Sequence, residues 1–173
     1  MATTTTSAAS PTATPLGFTP AMKRVPQSND HDCAFACIAM IAGKTLEEVR
    51  ATAIKLFRHP EHGPYYITES LINSLLAHYG WVGTVYKPVT SPISGLPDLA
   101  ILMVDYDEEV ELGRHVVFHR MSCAGQKPSI EYVLDPGYWQ PEEKKIQTDL
   151  KKLMPSWLIG VHPMNAPATY SKK

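Results

Sequence analysis

Residues 27–43 read QSNDHDCAFACIAMIAG. From Cys33 to Ala42 this stretch is apolar almost all round, and Gly43 follows it. A segment apolar on every side is a buried helix, and a glycine just past its end is the usual stop. The five residues before Cys33 (Ser28, Asn29, Asp30, His31, Asp32) form a polar loop rich in capping side chains. Asp30 and Asp32 are read as caps for this helix. A cysteine therefore stands where a polar loop enters a core helix, with its backbone anchored and its sulfur near the surface. The positive end of a helix stabilises a thiolate there.

The flanking sequence sets the fold class. Thr45 with Glu48 three residues on is a capping-box signature for a helix from Leu46 to about Phe57, ended by His59-Pro60. Thr68 can cap a third helix through Tyr79, with Leu71, Leu75 and Leu76 on one face and Gly80 as the stop. The period then changes. Residues 81–86, 99–104, 115–120, 130–134 and 157–161 are strand-like runs bounded by Pro, Gly or acidic turns. Pro141 to Leu153 reads as a helix with Pro in its first turn. Helices first and mostly antiparallel strands after predict an α+β fold, with N-terminal helices packed on the sheet.

From Met1 to Met22 there is no charged side chain, and seventeen of the 22 residues are Thr, Ser, Ala or Pro. Such a segment buries too little apolar surface to offset its ordering entropy, so residues 1–22 are expected to be a disordered tail. A linker is the plain reading, and an N-terminal export signal of the kind carried by Ser/Thr-rich bacterial effectors is the functional one. The basic start and apolar middle of a cleaved secretory signal are both missing. The expected location is cytoplasmic, or secreted without a cleaved signal. Residues 23–164 form one domain and residues 165–173 a flexible polar tail.

Sixteen basic and 17 acidic side chains give a formal net charge of -1, which lacks the basic footprint of a nucleic-acid binder. No run approaches 18 apolar residues, so no membrane span is expected. The three cysteines, Cys33, Cys37 and Cys123, are too few and odd in number for a disulfide scaffold. Cys37, one helical turn beyond Cys33, reads as a small buried hydrophobe. Nothing near Cys123 marks it as reactive. A metal site built from His31, Cys33, Cys37 and His115 is disfavoured, because a Cys-x-x-x-Cys pair on one helix is helical periodicity before it is a zinc motif. No cofactor is expected.

A nucleophilic thiolate needs a base and a group that orients the base. His115 opens the strand HVVFHR, and Asp135 closes the strand IEYVL. A hairpin that pairs Arg120 with Ile130 sets His115 directly opposite Asp135 on one face, with Cβ atoms about 4.5–5.5 Å apart. A one-residue slip would put them on opposite faces. His119, on the same strand face but four residues further along toward the loop, and His31, close to Cys33, are rival bases. Gln27, six residues before Cys33, is a candidate oxyanion donor beside the Cys33 backbone N–H. Tyr65, Tyr66, Tyr138 and Trp139 lie on loops that can line a cleft. The acidic stretch 105–111 is either a solvated turn or an attractor for a basic substrate segment.

Three motifs, QSNDHDCAFACIAMIAG, GRHVVFHR and YVLDPGYW, taken in order, resemble the papain-like cysteine peptidases. More narrowly they resemble the bacteriocin-processing, double-glycine-leader peptidases. The resemblance covers roughly residues 25–139 and implies a papain-like fold. It implies Cys33 as nucleophile, His115 as base, Asp135 as orienter and Gln27 as oxyanion donor, acting on a peptide or protein substrate without metal or cofactor. Ala34 stands where that family usually has glycine, which bears on how closely substrate backbone approaches. Members of the family are typically fused to an ATP-binding-cassette exporter, so fold and reaction type carry over better than leader specificity. The resulting expectation is a cysteine peptidase acting on a peptide, isopeptide or amide bond, with a secreted bacterial effector as the reading that the N-terminal tail adds. A cell-wall amidase and a catalytically silent binding module of the same fold are the alternatives.

Overall fold

A computed structural model describes residues 17–62, 67–90, 93–122 and 129–165. Three helices come first: α1 (Cys33–Ala42), α2 (Leu46–Phe57) and α3 (Glu69–His78). Every residue of α1 from Cys33 to Ile41 is buried, and Gly43 ends it in the left-handed conformation with φ 66°. The Thr45–Glu48 capping box forms in both directions at the start of α2, with Glu48 N–H to Thr45 Oγ1 at 3.1 Å and Thr45 N–H to Glu48 Oε2 at 2.8 Å. Thr68 caps α3 through the Leu71 N–H.

Strands β1 (Trp81–Gly83), β2 (Lys87–Pro88), β3 (Leu99–Asp107), β4 (Leu112–Met121) and β5 (Ile130–Leu134) follow. A one-turn helix α4 (Glu142–Lys145), β6 (Ile146–Gln147) and β7 (Trp157–Pro163) complete the chain. All strand pairs are antiparallel, and the seven strands form one sheet in the order β1-β7-β3-β4-β5-β6, with β2 also on β7. The α+β class expected from the sequence is the one observed.

Both faces of the sheet are covered. Leu99, Ile101, Val117, Tyr132, Leu134 and Ile159 pack with α1, α2 and α3 in one core. Ala100, Leu102, Val104, Val116, Phe118 and Val133 pack on the other face with Leu96 and Leu150. A central strand buried on both sides reads as an unbroken apolar run, which is why residues 99–104 show no alternation. Phe35 and Ile38 of α1 are fully enclosed, each worth roughly 1.5–3 kcal/mol of burial.

Three expectations are corrected. The helix over residues 141–153 shrinks to the four residues of α4, because Ile146 and Gln147 pair instead with Leu134 and Val133. That pairing closes the free edge of β5 and lets Ile146 pack against the helical core. The tail boundary moves back from residue 22: the Phe18 ring lies 5.3 Å from Tyr132, and the Ala21 N–H donates to the Tyr132 hydroxyl at 2.9 Å. The β4–β5 register differs by one residue from the assumed pairing, with Arg120 facing Glu131 and Met121 facing Ile130. Residues 1–16 and 166–173 of the two expected tails, Cys123, Tyr65 and Tyr66 lie outside the described residues.

Candidate active site

The segment entering α1 is held by the turn after β5. Arg24 donates through Nε to the Asp135 carbonyl at 2.5 Å and through Nη2 to the Gly137 carbonyl at 2.8 Å, while the Gln27 N–H reaches the Pro136 carbonyl at 2.9 Å. This docking fixes where α1 begins relative to the sheet. Cys33 is its first residue, so its N–H is among those that a helix start leaves without an intrahelical acceptor. β4 passes below the helix and carries His115, whose Nδ1 lies 3.3 Å from Cys33 Sγ. Residues 82 positions apart in sequence thus meet where an apolar helix lands on a sheet.

The far side of the imidazole is occupied by a residue that the sequence did not point to. Tyr86 Oη lies 2.6 Å from His115 Nε2. Between β1 and β2 the pairing to β7 shifts by one residue, since Gly83 faces Val161 but Lys87 faces Leu158. Such an irregularity re-aims side chains at a sheet edge. Here it takes Tyr86 out of the ladder, and its N–H goes instead to Glu69 Oε2 at 2.7 Å.

Asp135 is not the partner of His115. With Arg120 opposite Glu131, alternation turns Asp135 toward the Arg114 side of β4. Its Oδ2 accepts from Arg114 Nη1 at 2.6 Å and its Oδ1 from the Gly137 N–H at 2.8 Å. Arg114 also binds Asp105. Gln27 is buried, its Nε2 donates to the Asn29 carbonyl at 2.7 Å, and it does not line the cleft in front of Cys33. Asp32 makes no capping bond to α1; its buried carboxylate accepts from Ser28 and Asn29 and pairs with Arg50 at 3.7 Å. Of the rival bases, His119 is bonded to the Tyr132 hydroxyl at 2.9 Å, and His31 lies on the cleft wall. Tyr138 and Trp139 are exposed, and Tyr138 donates to Asp30 at 3.2 Å.

The cleft has a volume of about 490 Å³ and opens over Cys33, His115 and Tyr86. Its apolar wall is Ile67, Met103 and Leu112, and Asp30, Asp105 and Glu111 stand on its polar side. Among the described residues, no group of three His, Cys, Asp or Glu side chains is placed to hold a metal ion, and Cys37 is fully buried in the core. No helix among the described residues is long and apolar enough to cross a membrane.

Burial governs the charge state of the pair. It pulls His115 down to about 4. It also pushes the Cys33 thiol up, against hydrogen bonds from backbone N–H groups and the Arg114 charge. Both shifts favour an uncharged thiol and imidazole at rest. Below about pH 6.5 the unfolded chain takes up a proton on His115 that the folded chain refuses until about 4, so folding weakens as pH falls through that window. The shift corresponds to roughly 3 kcal/mol. Urea midpoints compared at about pH 7 and about pH 4.5 should fall less in His115→Gln than in wild type, and an equal fall would place the acid sensitivity elsewhere.

No protein-family model and no curated protein matches this chain.

Proposed function

We propose that the protein is a thiol hydrolase with a papain-like fold, cleaving a peptide or related amide bond through a covalent thioacyl intermediate. The observation that carries this reading is the contact of Cys33 Sγ with His115 Nδ1, at a helix start and at the floor of an open cleft. A thiol beside a base is the minimal unit of cysteine nucleophilic catalysis. The ordered motifs around Cys33 and His115 that resemble papain-like peptidases support it as well.

In this reading His115 Nδ1 takes the thiol proton as Sγ adds to the carbonyl carbon. The Cys33 N–H stabilises the oxyanion that forms. The carbon–nitrogen bond then breaks, and His115 returns the proton to the leaving amine. Water, deprotonated by His115, hydrolyses the thioester, releasing the acid and restoring the thiol. The neutral resting pair suits this order of events, because the proton moves as the nucleophile attacks.

The experiment is a cleavage profile of a diverse peptide mixture incubated with the purified chain, read by mass spectrometry, with Cys33→Ala as the control. The proposal expects new termini at defined bonds that the control does not produce. The same bonds cut equally by Cys33→Ala would overturn it.

A further inference from the structure

We propose that Tyr86, rather than Asp135, is the residue that orients His115, making the site a Cys–His–Tyr arrangement. This inference rests on the thiol-hydrolase reading for its catalytic consequence and on the structure for its geometry. His115 has two ring nitrogens, and both are engaged: Nδ1 by Cys33 at 3.3 Å and Nε2 by the Tyr86 hydroxyl at 2.6 Å. For Nδ1 to accept the thiol proton, the imidazole's own proton must sit on Nε2. In the productive tautomer the Tyr86 oxygen, placed at hydrogen-bonding distance, accepts that Nε2–H. Asp135 is committed to Arg114 and the Gly137 N–H.

The position of Tyr86 is specified from several directions. Its N–H is held by Glu69 at the first turn of α3, and the register shift between β1 and β2 frees it from the ladder. Its ring joins the helical core, with its centroid 6.3 Å from that of His115. Groups with charge around the pair are Glu69 from α3, Arg114 from β4 and Asp135 from the turn after β5, with Asp30, Asp105 and Glu111 across the cleft, and among the described residues the phenol is the hydrogen-bond partner of Nε2. A phenol differs from a carboxylate in one respect that matters. Burial and the nearby Cys33, Cys37 and Glu69 groups hold its proton on, so it lends no negative charge to an imidazolium. The orienter therefore fixes the ring's geometry and pairs with its Nε2–H form while leaving His115 a weak base at rest.

Tyr86 is thus a positioning residue, and its test needs a readout beyond loss of activity. The ring ¹⁵N shifts of His115 in wild type, Tyr86→Phe and Asp135→Asn supply it, with site-mapped iodoacetamide alkylation of Cys33 alongside. Wild type should show the Nε2–H form, and Tyr86→Phe a mixture of tautomers. Asp135→Asn should keep the wild-type pattern. Cys33 alkylation in Tyr86→Phe should slow by about tenfold to a hundredfold, the margin lost when an orienting partner is removed. On a substrate found by the cleavage profile, kcat should fall by a similar factor with KM little changed. A wild-type tautomer pattern and alkylation rate in Tyr86→Phe would overturn the assignment, as would a tautomer change caused by Asp135→Asn. The spectra and alkylation rates decide this even if no peptide is cleaved, which is the separate failure of the hydrolase reading.

Discussion

Cys33→Ala is expected to lower turnover by at least about 10⁴-fold, with an unchanged fold. Among the described residues no other thiol opens into the cleft: Cys37 lies a turn deeper, fully buried between α1 and its neighbours. Cys37→Ala should accordingly retain turnover, at the cost of a small cavity. His115→Ala should lose about 10²–10⁴-fold, the usual worth of a positioned general base. The two losses should not add, because the thiol and its base act as one unit. Steady-state kinetics on Cys33→Ala, His115→Ala and the double variant check this. Additive losses would mean that the 3.3 Å contact between them is incidental.

The second large effect is on stability. Asp135→Ala should cost about 3–5 kcal/mol, measured by urea denaturation, because it breaks a buried charged contact and leaves its partners behind. The Asp135 side chain is 1% exposed. Removing it takes one of two carboxylates from Arg114 and the acceptor from the Gly137 N–H. The turn it stiffens receives Arg24 and the Gln27 N–H, so the damage extends to the segment that delivers Cys33 to the sheet. Asp135→Asn keeps an oxygen for Gly137 and should lose less. A loss under about 1 kcal/mol for Asp135→Ala would contradict this structural role.

Much of this arrangement is legible in the sequence. The apolar stretch 33–42 with its glycine stop, and the Thr45–Glu48 box, give α1 and α2 as they stand, because capping chemistry is local. The proximity of Cys33 and His115 follows from reactive residue types at an element start and from the family resemblance, and the structure places them together. The β4–β5 register differs from the one the sequence suggests. Pairing Arg120 with Ile130 set His115 opposite Asp135, yet Arg120 bonds Glu131 at 2.8 Å and Met121 faces Ile130. Opposite charges and apolar residues facing across strands were the available signal for the true pairing. A one-residue slip suffices to move Asp135 from His115 to Arg114.

Tyr86 was beyond reach for a different reason. It falls in a strand-like run, and what aims it is a register shift against β7, a strand more than 70 residues away, together with a bond to α3. Neither leaves a mark in the local pattern. The helix expected over 141–153 failed similarly: its residues have ordinary helix propensity, but the open edge of β5 offered Ile146 and Gln147 a ladder. Tertiary pairing overrode a weak local preference.

Whether Cys33 and His115 work as a nucleophile–base pair is read from the alkylation rate of Cys33 near neutral pH. Iodoacetamide should modify Cys33 in mapped peptides, leave Cys37 intact, and react at least about tenfold faster with wild type than with His115→Ala. An unreactive Cys33, or equal rates in the two proteins, would contradict the account and leave a cleft without chemistry.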